Sequence, residues 1–123
     1  MAGTIVSDTL QDGAGNSTAM DNAIYGSCKA WVNFNGTGGT IRASYNVSSV
    51  TVNSTGNFSV NFTNALSNAN YCPNISFGTN AGANSYGYMG HYSTSTTVYR
   101  FITADSGTAA FNPVMVTAAI FSN

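Results

Sequence analysis

Asn57-Phe58-Ser59-Val60-Asn61-Phe62-Thr63 alternates without interruption. Phe58, Val60 and Phe62 fall on one side, and polar residues fall on the other. A strand turns successive side chains to opposite faces, so this stretch reads as a β-strand with one buried and one wet face. Upstream, Cys28-Lys29-Ala30-Trp31-Val32-Asn33-Phe34 repeats the pattern, with Cys28, Ala30, Val32 and Phe34 against Lys29, Trp31 and Asn33. Further strands are expected from Thr40 to Tyr45, Val47 to Val52, Tyr71 to Phe77, Thr97 to Thr103 and Val114 to Phe121. Asn35-Gly36-Thr37-Gly38-Gly39, Asn53-Ser54-Thr55-Gly56-Asn57 and Asp105-Ser106-Gly107 supply the turns between them. Short strands with turn signals at such spacing predict an all-β fold, an antiparallel β-sandwich of jelly-roll-like type. Its core is expected to hold Ala30, Val32, Phe34, Val60, Phe62 and residues of the Val114 to Phe121 strand.

Two segments do not fit a regular strand. Residues 1–22 are rich in Gly, Asn and Ser from Asp12 onward and read as an N-terminal attachment arm, with the sandwich domain over 23–123. Within this lead-in, Thr18 to Tyr25 reads either as one short helical turn or as an irregular connector. Gly78 to Thr97 is a Gly-, Ser-, Asn- and Tyr-rich excursion. A loop of that length in a compact domain is functional or packed on a partner.

Composition narrows the function. The chain has 123 residues, enough for one domain with a real core. Charged residues make up 6 %: Lys29, Arg42 and Arg100 against Asp8, Asp12, Asp21 and Asp105, for a net charge of −1. Seven Tyr, seven Phe and Trp31 supply the apolar bulk that a disordered chain lacks. Three cations release few counterions, which argues against nucleic-acid binding, and there is no polybasic face for a membrane. No stretch approaches the ~20 apolar residues of a membrane span. The N-terminus lacks the basic region and apolar run of a signal peptide, so the protein is expected to be made and used without secretion. Sequons such as Asn35-Gly36-Thr37 and Asn61-Phe62-Thr63 are then by-products of composition. Cys28 and Cys72 are expected as free thiols, a disulfide between them being the alternative.

Catalytic signatures are missing. The chain has no Glu, no Gly-x-Ser-x-Gly elbow and no phosphate-binding glycine loop. Two cysteines and His91 are too few for a zinc site. Asp12-Gly13-Ala14-Gly15-Asn16 has the outline of a calcium loop with too few acids to fill it. The expectation is a non-enzymatic protein without metal or cofactor. The constellation with binding character is Tyr86-Gly87-Tyr88-Met89-Gly90-His91-Tyr92. Tyr offers a flat apolar face and a polar tip at low entropic cost. Tyr86, Tyr88, His91 and Tyr92 are the expected contact residues for a host surface glycan or protein. The alternative for the same residues is subunit packing, or a strand that carries Tyr outward.

Lys29-Ala30-Trp31-Val32-Asn33-Phe34-Asn35-Gly36, then Ile41-Arg42-Ala43-Ser44-Tyr45-Asn46-Val47-Ser48-Ser49-Val50, then Asn57 to Thr63 with Ala69-Asn70-Tyr71, resemble a domain of tail-fibre-like virion appendage proteins. These belong to tailed bacteriophages, especially phages of marine bacteria and cyanobacteria. The lead-in Thr9-Leu10-Gln11-Asp12-Gly13-Ala14-Gly15-Asn16-Ser17-Thr18 is similar to the one often found there. The resemblance spans roughly residues 9 to 71. It implies a virion-surface protein, a homotrimer with no catalytic residues to carry over. The N-terminal arm, at Leu10, Asp12 and Asn16, is expected to hold it to other virion proteins of capsid or tail. The expected function is a short tail fibre or fibre tip that attaches to the host surface. The alternative is a capsid or tail decoration protein that stabilises the particle. A domain beginning at its own Met1, without a shaft, favours a short appendage over a long fibre.

Overall fold

A computed structural model describes residues 3–78 and 87–122 of the chain. The elements in chain order are β1 (Thr9–Gln11), β2 (Ser17–Ala19), α1 (Met20–Gly26), β3 (Cys28–Asn35), β4 (Thr40–Tyr45), β5 (Val47–Ser54), β6 (Asn57–Phe62), β7 (Cys72–Gly78), β8 (Gly87–Thr94), β9 (Val98–Asp105) and β10 (Met115–Phe121). The fold is all-β apart from that one short helix among the described residues. The seven strands expected from alternation are all present, with ends shifted by about two residues at most.

Two four-stranded antiparallel sheets carry the domain, in the orders β4-β3-β10-β7 and β5-β6-β9-β8. Register aligns the apolar positions. In the first sheet Phe34, Val32 and Ala30 stand opposite Val116, Ala118 and Ile120, all six buried. In the second, Phe58 and Val60 stand opposite Phe101 and Tyr99, all buried. The two sets meet in one cluster. The Phe34 ring of the first sheet lies edge-on to Phe58 of the second at 5.4 Å, and 6.4 Å from Phe101. Phe101 stacks on Tyr99 at 5.5 Å, and Tyr99, Tyr71 and Phe62 continue the chain of rings. The core residues expected from the alternation are all in this cluster.

The chain passes from the first sheet to the second through the single residue Asn46, between β4 and β5. Its φ of 54° is a left-handed conformation, which Asn tolerates better than most residues with a side chain. Its side-chain amide donates to the carbonyls of Lys29 and Asn64, and its Oδ1 accepts from the Asn64 amide at 2.8 Å. The corner is therefore fastened to the start of β3 and to the segment after β6.

Two sequence expectations need correction. Gly87–Thr94, expected within a loop with a strand carrying Tyr outward as an alternative for its tyrosines, is strand β8. Its glycines break the alternation, which an edge strand paired on one side does not need. The jelly-roll-like topology is not met. Successive strands of a jelly roll mostly cross between sheets, whereas β3–β4, β5–β6 and β8–β9 are hairpins within one sheet. Short Asn- and Gly-rich turns favour such local pairing. Helix α1, Met20–Gly26, spans residue 22, where the arm is expected to end.

Because Phe34 is fully buried and touches rings of the opposite sheet, Phe34→Ala should destabilise the protein by about 3–5 kcal/mol in urea unfolding. Thr63→Ala, at an exposed position, should stay within about 0.5 kcal/mol.

Candidate functional site: the outer face of the β5-β6-β9-β8 sheet

Strand pairing decides where each expected contact residue points. On β9, Tyr99, Phe101 and Thr103 are buried, so Arg100 and Ile102 face outward. Tyr88 pairs with Ala104 and Gly90 with Ile102, which puts both on the outer face. A β-bulge between His91 and Ser93 leaves Tyr92 as the extra residue, and its ring lies 4.2 Å from the Arg100 guanidinium carbon on that same face. Tyr88 and Tyr92 are about 60 % exposed (61 % and 59 %). A rise of about 3.3 Å per residue spaces them by roughly 13 Å. Between them Gly90 leaves a notch floored by Ile102. A Cβ at Gly90 would sit 3.1 Å from Ile102 Cγ1.

His91 does not belong to this group. It pairs with the buried Phe101, and its Nδ1 meets the Tyr99 hydroxyl at the edge of the core. Burial, with a smaller contribution from nearby Tyr71, pushes the Tyr99 hydroxyl well above its ordinary range, so it stays protonated. His91 therefore closes the end of the aromatic core and does not share the Tyr88–Tyr92 face. Tyr86 lies outside the described residues.

The rest of this outer face is a hydrogen-bonded pavement. Asn53 of β5 donates to Ser59 Oγ at 2.8 Å and to Asn57 Oδ1 at 3.1 Å, both on β6. The same Asn57 oxygen accepts from Arg100 Nε at 2.9 Å. Asn61 donates to Ser49 Oγ and Thr51 Oγ1. One chain of contacts, Asn53–Asn57–Arg100–Tyr92, thus crosses all four strands. Sequence reasoning missed Asn53, Asn57, Arg100 and Ile102. The alternation of Tyr99-Arg100-Phe101-Ile102 already turns Arg100 and Ile102 outward, but only the register brings Tyr92 to them.

The outer face of the other sheet has different chemistry. Tyr45, Trp31 and Ala119 stand in one row across β4, β3 and β10, with Met115 and Phe121 along β10. Trp31, Tyr45, Met115 and Phe121 are all exposed. Cys28 and Cys72 flank Phe121 on opposite sides of β10, so their Cα atoms are about 9–10 Å apart, beyond disulfide reach.

The arm residues form a hairpin. The Asp12 carboxylate accepts from the Ala14 and Asn16 amides at 2.9 Å each and from the Asn16 side chain at 2.8 Å, while Leu10 is exposed. The outline of a calcium loop is thus filled by the loop's own amides. Clefts of about 490 Å³ beside this hairpin, and of about 330 and 270 Å³ near Ser122, lie away from Tyr88 and Tyr92. Among the described residues no group of three or more His, Cys, Asp or Glu is placed to hold a metal ion. None of their helices is long and apolar enough to cross a membrane.

Compared with known protein families, curated proteins and solved structures, the chain matches none.

The hydrogen bonds to Asp12, that from the Asn16 side chain foremost, hold its carboxyl below the ordinary carboxylate range. A group whose folded-state pKa is lowered contributes its bracing fully above the unfolded value near 4 and loses it as pH falls through the folded one. On acidification from pH 6 to 2, the Ala14 and Asn16 amide resonances should shift together through a midpoint below 4. Asp12→Ala should shift them at neutral pH and leave the Val60 amide unchanged.

Proposed function

We propose that this chain is a non-enzymatic β-sandwich of the virion appendage kind that its sequence resembles, assembled as a homotrimer and serving in attachment to the host surface. The observation that carries the reading is the contrast between the two outer faces. The Trp31–Tyr45–Ala119 row, with Met115 and Phe121, is an exposed apolar surface of the sort that subunit contacts cover. A closed three-fold arrangement buries one copy of that surface on each subunit without leaving an open end. The opposite face then points away from the assembly. It presents Tyr88 and Tyr92 on a rigid sheet whose inner side is the core, so its contact residues can vary without disturbing the fold. Nucleic acid is a poor partner for this surface. Of the three cations, Lys29 is spent on the Ile24 carbonyl and Ser27 Oγ, and Arg42 on Asn33 Oδ1 and the carbonyls of Phe34 and Val114.

A second reading, decoration of a capsid or tail, is favoured by the N-terminal segment. Ile5 and Val6 are 87 % and 93 % exposed, and Leu10 is exposed beside them. Uncharged β-branched residues exposed ahead of β1 suit docking onto a neighbouring virion protein at the expected arm.

Two experiments test these readings. Sedimentation equilibrium at micromolar concentration should give three chain masses, and Trp31→Glu should give one chain mass with an unchanged circular dichroism spectrum. A wild-type monomer at every concentration refutes the trimer. Particles carrying Tyr88→Ala with Tyr92→Ala should lose at least ten-fold in host adsorption, since a central Tyr contact is worth about 2 kcal/mol or more, with incorporation and melting temperature intact. Normal adsorption with lost incorporation would instead support decoration.

A further inference from the structure

Arg100 is the one cation of the chain whose terminal nitrogens no described residue engages. Its Nε is held by Asn57 Oδ1 and its guanidinium carbon lies over the Tyr92 ring, 4.2 Å from the centroid. Neither contact uses the two Nη groups, which form the end-on fork of the guanidinium. An Arg fork matches the two oxygens of a carboxylate in one bidentate contact. The group is also braced in advance, because Asn57 is itself held by Asn53, which also donates to Ser59, the residue paired with Arg100 on β6. Holding a long side chain before binding removes part of the entropy that a free arginine would lose.

Charge on this face has one sign. Among β5, β6, β8 and β9 the single carboxylate is Asp105, and its Oδ1 is occupied by the amides of Gly107 and Ala109 in the following turn. Among the described residues the cation therefore has no counter-charge on its own surface. Around it stand the parts that bind a sugar ring. The Tyr88 ring, and Tyr92 on the face that Arg100 does not cover, flank the Gly90–Ile102 notch and can pack against the C–H side of a pyranose. The Asn, Ser and Thr pavement supplies neutral donors and acceptors for hydroxyls.

We propose that this surface binds a carboxylate-bearing sugar of a surface glycan. The carboxylate would sit on the Arg100 fork and the ring would lie against Tyr92 toward the Gly90 notch. This inference names the ligand class for the attachment reading above and rests on it.

The test is titration of the purified protein with oligogalacturonate and with oligosialic acid, each beside its methyl ester of the same length, by calorimetry and by the Arg100 Nε–H resonance. At least one acid should bind ten-fold or more tighter than its ester and shift that resonance. Arg100→Gln should abolish the acid-over-ester preference. Arg100→Lys, which keeps charge without the fork, should retain only part of it. Asn57→Ala should weaken the acid several-fold and leave the ester unchanged, and Gly90→Leu should weaken both. Melting temperatures identify any variant that fails to fold, and the wild-type resonance shift stands without them. Equal affinity for acid and ester, no binding of either acid, or unchanged acid binding in folded Arg100→Gln overturns the inference. If no acid binds while the Tyr88 and Tyr92 double variant still loses adsorption, the acidic ligand is wrong and the attachment reading survives. Acid binding that depends on Arg100, with adsorption unaffected by the double variant, overturns attachment instead.

Discussion

The contact of Phe34 with Phe58 and Phe101 is the constraint on which the rest depends. Each sheet alone is an amphipathic surface with an apolar side that water would wet. Phe34 reaches from the β4-β3-β10-β7 sheet into rings of the other, and the aromatic chain through Tyr99, Tyr71 and Phe62 extends the contact along the interior. Edge-on and stacked rings add about 0.5–1.5 kcal/mol per pair beyond the burial of their area. With so few charged residues, burial of this kind must supply most of the favourable free energy. The inner faces are fully committed to it, which leaves chemistry to the outer faces and the edges.

The two outer faces then diverge under different demands. On β5 and β6 the outward residues are short and polar, and they satisfy one another across strands, as the Asn53, Asn57 and Asn61 amides do. A flat, hydrogen-bonded surface of this type is stiff, so the groups standing on it, Arg100 and the two tyrosines, keep their positions. On β3, β4 and β10 the outward row is Trp31, Tyr45 and Ala119, where dispersion and water exclusion dominate. One domain thus offers a stiff polar surface and an apolar one on opposite sides.

The scarcity of charge shapes the details. Two of the three cations stabilise backbone carbonyls: Lys29 that of Ile24 in the last turn of α1, and Arg42 those of Phe34, beside the irregularity of β3, and of Val114, just before β10. Asp12 and Asp105 do the converse for amides in their turns. Nearly every charged group with a described partner serves the backbone. Arg100 departs from this pattern, being braced by a side chain and a ring.

Much of the fold was legible in the residues themselves. Alternation in Cys28 to Phe34 and in Asn57 to Thr63 identifies the buried face because a pleated strand has a fixed period of two, and Asn- and Gly-rich turns mark where it reverses. The tyrosines of 88 and 92 were legible as surface groups for the same compositional reason. Strand β8 was legible only as an alternative to a loop, since Gly87 and Gly90 erase the period and an edge strand is held by one neighbour rather than by its own pattern. The separation of His91 from Tyr92 follows from the same alternation once these residues are read as a strand, since neighbours along a strand face opposite sides. By itself, then, the sequence determined an all-β chain, its core residues and its lack of charge, because those depend on local period and composition. Tertiary structure alone decided which strands became neighbours, and so brought Asn57, Arg100 and Tyr92 together. Pairing between strands separated by dozens of residues depends on how whole faces fit, and no local stretch encodes that.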